Sequence, residues 1–337
     1  MRGESPALPT AVVSAAGHYL PETVVTSATL EARYDLPPGK IAEKTCIVER
    51  RVLTEGATSD LATPAVERCL ANRGLDADAL DGVIVATISP DYPFPSTATI
   101  VQGRIGAVGA WAFDIAAACS GFAYALWLAT GMIRSGAARR IVVCGADRLS
   151  PITDTEDSKT AVLLGDGAGA VLVERDAPSG LAIVDGELWA DGTQTELAYQ
   201  PGGGSRHPAS PETVARRLHF MKMDGRAVRA AGVAAMHAVA STLMDRHALS
   251  PSDIRWLVTH QSNGRMIEDV AASLGFPPAC TFVNIDRYGN TSAATLPICV
   301  SELMAGDTLD PRDRVLLASV GAGFTSASLL LRTLPAD

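Results

Sequence analysis

The chain repeats itself. From Leu75 to Leu80 two leucines bracket four small or acidic residues, and Val83-Ile84 follow; Leu249 to Ile254 has a matching arrangement ahead of Leu257-Val258. Phe113-Asp114-Ile115 precedes Cys119 much as Asn284-Ile285-Asp286 precedes Asn290. These two matches share an offset of about 170 residues. A third pairs Gly167-Ala168-Gly169, before an apolar run, with Gly321-Ala322-Gly323, before Ser328 to Arg332. Matches kept in one order point to two similar halves, residues 1–175 and 176–337. In such a chain, polar residues at corresponding loop ends place the active site between the halves.

Each half alternates helix-like and strand-like segments. Val83 to Thr87, Arg140 to Cys144 and Ala168 to Glu174 read as buried strands; Ser120 to Ser135 reads as a helix. That alternation defines an α/β protein. Thirty glycines and only 5% aromatic residues suit tight turns and close helix packing, not a nucleic-acid reader built on stacked rings. The net charge of -9 opposes any overall attraction to nucleic acid or an anionic membrane. No run of about 18 apolar residues reads as a membrane span, and the N-terminus lacks a leader's pattern. Six scattered cysteines without a CxxC pair fit a reducing, cytoplasmic setting.

Three residues stand where chemistry is possible. Cys119, in DIAAACSGFAYAL, follows small residues and opens a helical run. Unpaired N–H groups and the helix dipole there favour a thiolate. His260 ends the strand Leu257-Val258-Thr259, a position from which a ring can enter a cleft. Asn290, after Gly289, opens a small-residue helix, where an asparagine can cap and still present its amide. The other histidines and cysteines read as structural. Gly165 to Gly169 lacks the Lys-Ser/Thr of a phosphate loop and reads as a turn, and no cluster has metal-ligand spacing. Nothing calls for a cofactor.

The motifs ACSGF, LGDGAGA, HQSN, YGNTSAA and GAGFTSA, in their order and spacing, resemble β-ketoacyl-ACP synthase III from about Gly17 to Arg332. The resemblance implies a thiolase-like five-layered αβαβα fold, a homodimer and a triad of Cys119, His260 and Asn290. It implies that Cys119 takes an acyl group from a thioester and that a malonyl thioester then loses CO2 to give an attacking enolate. His260 and Asn290 donate hydrogen bonds to the enolate oxygen. The backbone of Cys119 and of Ala322 or Gly323 holds the oxyanion of acyl transfer. Phe94 matches a phenylalanine that closes the partner subunit's acyl pocket. A second histidine in place of Asn290 would instead match the elongating synthases.

Two departures bear on the acyl donor. Family members that prime fatty-acid synthesis stack the adenine of CoA on a tryptophan where this chain has Lys40, and on an arginine where it has Ser158. The expected donor is therefore an acyl carrier protein or another thioester, in fatty-acid-like or polyketide specialised metabolism. An acidic carrier needs local positive charge, for which Arg265, Arg226, Arg229 and Lys222 are the candidates, with Arg216 and Arg217 nearby. The alternatives are an acyltransferase that passes the Cys119 acyl group to an oxygen or nitrogen nucleophile, and a non-catalytic partner subunit.

Overall fold

The computed structural model describes residues 9–334. Ten strands form the main sheet: β1 (Ala11–Tyr19), β2 (Gly82–Ala86), β3 (Trp111–Ile115), β4 (Arg140–Asp147), β5 (Gly167–Arg175), β6 (Leu181–Ala190), β7 (Trp256–Thr259), β8 (Thr281–Phe282), β9 (Arg314–Gly321) and β10 (Thr325–Thr333). Their order across the sheet is β8-β7-β9-β10-β6-β1-β5-β4-β2-β3. Read outward from the centre, each side runs through the same sequence of strands. The two sides meet where β1 pairs with β6, over only Val12–Ala182 and Val13–Leu181. On each side the outer strands are parallel and the inner ones antiparallel.

Six helices build the layers: α1 (Thr58–Arg73), α2 (Thr97–Arg104), α3 (Gly121–Arg134), α4 (Gly225–Arg246), α5 (Gly264–Leu274) and α6 (Thr295–Ala305). Phe122, Leu126 and Ile133 of α3 share one core with Leu296, Val300 and Leu303 of α6, and with strand residues from both blocks. The outer face of the β1–β5 block packs on α1 and α2 through Val83, Val142, Leu61 and Val101. The outer face of the other block packs on α4 and α5 through Leu316, Leu257, Met236 and Val270. The result is the expected five layers, with α3 and α6 in the middle. Strands covered on both faces need no polar alternation, which is why β4 and β5 read as unbroken apolar runs. Helix α3 is likewise apolar because protein surrounds it.

The third repeat does not mark equivalent positions. Gly167-Ala168-Gly169 lies inside β5, whereas Gly321 ends β9 and Ala322-Gly323 form the turn into β10. Glycine recurs at both places for different reasons, close packing in one and turning in the other. Helix α4 has the length and mean hydropathy to cross a bilayer, though no such span was expected. It carries Arg226, Arg229, Asp245 and Arg246 and lays Ala235, Met236, Ala240 and Leu243 against the sheet. The outer ends of the two expected halves, 1–8 and 335–337, lie outside the described residues, as does much of the N-terminal stretch screened for a leader.

Candidate active site

Cys119 sits in a single 3-10 turn, Ala118–Ser120, between β3 and α3. Ala118 adopts a left-handed backbone, φ 46°. Ser120 Oγ donates to the Ala117 carbonyl at 2.7 Å and lies 2.7 Å from Thr325 Oγ1, which donates to the same carbonyl at 3.0 Å. These bonds pin the cysteine turn to the start of β10. Gly321 completes the fit: a Cβ there would stand 2.6 Å from the Ala117 oxygen and 2.9 Å from the Cys119 nitrogen. Among the described residues, no carbonyl accepts from the N–H of Ala322 or Gly323. Two free donors therefore lie on the turn that adjoins the cysteine.

The second block delivers the other two side chains through one short segment. A 3-10 turn, Ser292–Ala294, leads into α6. Ser292 Oγ lies 3.4 Å from Cys119 Sγ, and the Ser292 N–H donates to Asn290 Oδ1 at 2.8 Å. With Oδ1 engaged, Asn290 offers its NH2 end outward. Asn290 does not open a helix as its sequence setting implies. Its backbone bridges Leu164, donating to the Leu163 carbonyl and accepting from the Gly165 N–H. His260 follows β7, is 2% exposed, and places Nδ1 2.7 Å from Thr295 Oγ1. Thr295 Oγ1 is also 2.9 Å from the Ser292 carbonyl. Ser292 thus connects with Cys119 through its side chain, with Asn290 through its N–H, and with His260 through its carbonyl and Thr295.

Close approach of the blocks makes this possible. At Gly145 on β4, a Cβ would meet the Ala293 carbonyl oxygen at 2.2 Å. Asp147, at the end of the same strand, is fully buried and accepts from the Thr87 hydroxyl, from Ile88 N–H and from Ala293 N–H. Burial holds its carboxyl above the usual range. The expected turn over Gly165 to Gly169 is instead a short irregular link, Gly165 and Asp166, that runs straight into β5. Buried Asp166 accepts from the N–H groups of Leu53, Leu149 and Ser150.

The electrostatics correct one expectation. The setting of Cys119 in the sequence points to a thiolate. Instead burial pushes the thiol up to about 12, against the opposing pull of the Ser292 hydroxyl, and the nearby Asp147 charge adds to the rise. Desolvation of the charged form outweighs one short turn of backbone donors. The residue as a whole keeps partial exposure. Burial also lowers His260 to about 3, leaving its ring neutral near pH 7. The cluster therefore holds a neutral thiol, a neutral imidazole and a primary amide. Such groups suit hydrogen bonding to developing negative charge rather than resting ion pairs.

The other candidates sit farther out on the surface. Phe94 is 85% exposed. Lys40 begins a short helix, Lys40–Thr45, and Ser158 begins another, Ser158–Ala161. Ile41 and Val162, beside them, share one small cluster. Arg265 pairs with Glu268 and donates to the Glu43 carbonyl, Arg229 pairs with Asp269, and Lys222 with Asp154. Arg226 is exposed and has no ion-pair partner among the described residues. Ser292 and Thr295 were not singled out in the sequence, although both lie in the run that contains Asn290. Their contacts involve residues distant in the chain or only loosely set by spacing.

Paired five-stranded blocks, central helices and a cysteine turn abutting the second block define a condensing enzyme of the thiolase fold. Two models of the 3-oxoacyl-[acyl-carrier-protein] synthase III family match residues 113–192 and, for its C-terminal region, 244–333. The chain belongs to this family, also called β-ketoacyl-[acyl-carrier-protein] synthase III. It is similar to the protein of that name from Chlorobaculum tepidum, with 43% identity over 96% of this chain and 99% of the relative. The crystal structure of the Aquifex aeolicus 3-oxoacyl-[acyl-carrier-protein] synthase III matches with a TM-score of 0.87 and 37% identity, covering 96% of this chain and 99% of that one. The priming β-ketosynthase of the R1128 polyketide pathway matches with a TM-score of 0.88 and 26% identity, covering 99% of each. The activity is accordingly that of a condensing acyltransferase.

Proposed function

We propose that Cys119, His260 and Asn290 carry out a decarboxylative condensation in two stages. In the first, Cys119 sulfur attacks an acyl thioester. The thiol proton passes to the departing thiolate, leaving an acyl-cysteine and a free donor thiol. The resulting oxyanion is held by N–H groups of Cys119 and of Ala322 or Gly323. In the second, a malonyl thioester loses CO2. The enolate oxygen receives hydrogen bonds from Asn290 Nδ2 and His260 Nε2, and the enolate carbon attacks the acyl-cysteine. A β-ketoacyl thioester leaves, and the Cys119 thiolate regains a proton from solvent. Removing one oxyanion donor typically slows such a step about 10²- to 10³-fold.

The observation that carries this reading is the Ser292 N–H bond to Asn290 Oδ1, which leaves the amide's donor end free. Transfer to an oxygen or nitrogen nucleophile has no need of that donor. The same reading takes the acyl donor, or the malonyl donor, to be an acidic carrier protein. Arg226 is the docking candidate with a free charge. Arg265 and Arg229 would exchange exposed ion pairs worth about 0–1 kcal/mol each, whereas Lys222 would have to leave the buried carboxylate of Asp154. It also takes the enzyme to be a homodimer. Edge strand β3 bears stacked Trp111 and Phe113, and Phe94 and Val108 are largely exposed, surface that a second copy would cover. The two halves divide after Arg175.

Intact-mass analysis after exposure to acyl donors, followed by product analysis with malonyl-carrier and malonyl-CoA, tests the reading. The expected result is one acyl adduct, absent from Cys119→Ala, and a β-ketoacyl product. Asn290→Ala should acylate normally but lose condensation. An adduct that moves to an alcohol or amine and never to malonyl carbon would reverse the conclusion.

A further inference from the structure

The hydrogen bonds around His260 converge on one hydroxyl. Thr295 Oγ1 lies 2.7 Å from His260 Nδ1 and 2.9 Å from the Ser292 carbonyl oxygen. Thr295 and His260 are each 2% exposed, so water does not readily replace either partner. A hydroxyl has a single hydrogen to donate. Given to the Ser292 carbonyl, it requires Nδ1 to carry the ring hydrogen, and Nε2 then presents a lone pair. Given to Nδ1, it places the ring hydrogen on Nε2. A neutral imidazole has one of these forms or the other.

The surrounding bonds permit the second arrangement without leaving a buried group unpaired. The Ser292 carbonyl already accepts the backbone N–H of Thr295, so it stays satisfied when the hydroxyl turns away. Nδ1 has no other hydrogen-bond partner among the described residues. Nδ1 keeps its bond to Thr295 Oγ1 in both arrangements, so the second gives up only an additional donor to a carbonyl that already has one. Among the described residues Nε2 has no protein partner, and it is not sealed from solvent, so it is the nitrogen free to meet a substrate.

We infer that Thr295 is a positioning residue whose hydroxyl donates to His260 Nδ1 and thereby holds the ring as the Nε2–H tautomer. The catalytic consequence rests on the decarboxylative reading, because only an Nε2–H can donate to an enolate oxygen. The tautomer itself is a property of the free enzyme and is measurable without turnover.

Two-bond ¹H–¹⁵N correlation of ¹⁵N-histidine-labelled enzyme, with His260→Gln as the blank that identifies the signal, reports which nitrogen bears the hydrogen. The expected position is Nε2; hydrogen on Nδ1 in the wild-type enzyme overturns the assignment. Thr295→Val keeps the side chain's shape and removes the donor. It should slow condensation from pre-acylated enzyme about 10²-fold while Cys119 acylation proceeds at the wild-type rate. Thr295→Ser should restore condensation. Wild-type condensation by a folded Thr295→Val enzyme would also overturn the assignment. If the valine variant does not fold, the wild-type spectrum decides. Hydrogen on Nε2 in an enzyme that acylates but never condenses would uphold the tautomer and remove the decarboxylative reading instead.

Discussion

Ser292 Oγ stands 3.4 Å from Cys119 Sγ, across the junction of the two strand blocks. It is the polar side chain bonded to the nucleophile, and its hydroxyl opposes the upward push of burial on the thiol. Ser292→Ala should raise the thiol further and slow its capture by an alkylating agent. A hydrogen bond to a charged group is worth about 1.5–3 kcal/mol, so the effect at a given pH should be about tenfold or more. Alkylation rate against pH, followed by intact mass, checks this; an unchanged profile would mean that the contact does not act on the thiolate.

His260 is buried and neutral, with its folded value lowered to about 3 from an ordinary 6.5. Between those values the unfolded chain binds more protons than the folded one, so stability falls as pH drops below about 6.5. From pH 6.5 to pH 5 the loss attributable to this residue should be about 2 kcal/mol, at about 1.36 kcal/mol per pH unit. Urea unfolding of wild type and His260→Gln at both values measures it, and the variant should lack that part of the loss. The condensation rate should show no His260 titration between pH 6 and 8.

Gly145 lets the Ala293 carbonyl approach within a distance that no Cβ tolerates. Gly145→Ala should destabilise the enzyme by about 1–3 kcal/mol through overpacking. It should also displace the Ser292–Ala294 turn, and with it Asn290 and Thr295, from the cysteine. Condensation should therefore fall more than Cys119 acylation does. Equal losses in both stages, at a temperature well below the melting point, would refute the positional argument.

The donor preference has a direct test. With Lys40 and Ser158 where aromatic and guanidinium faces would hold an adenine, matched acyl-carrier donors should load Cys119 faster than acyl-CoA. Lys40→Trp should lower the KM for acyl-CoA by about fivefold or more, since one stacked base contributes about 1–3 kcal/mol. Arg226→Glu should slow loading from the carrier and weaken its salt dependence, leaving loading from CoA unchanged. A strong wild-type preference for CoA would refute the carrier reading.

The strands over 83–87, 140–144 and 168–174 were legible because strands covered on both faces are uninterrupted apolar runs. The helix over 120–135 was legible to within a residue at each end for the same reason. Cys119 and His260 stood out as candidates because each is a reactive residue at the end of such an element, whereas Asn290 stood out through its glycine and small-residue neighbours and sits in an isolated bridge rather than at a helix start. The third glycine repeat misled, since glycine marks both tight packing and turning and the letters do not distinguish them.

By itself the sequence determined the layered α/β architecture and the doubling of that pattern, because burial on both faces leaves a local signature, and it singled out Cys119, His260 and Asn290 as candidates. Only the tertiary structure decided that Ser292 joins the three, that Thr295 governs the imidazole, and that the resting thiol is neutral. Those outcomes depend on desolvation and on contacts between separated segments, 173 residues apart for Cys119 and Ser292 and 35 for His260 and Thr295. No local pattern encodes the distance between two hydroxyls until the strands beneath them have paired.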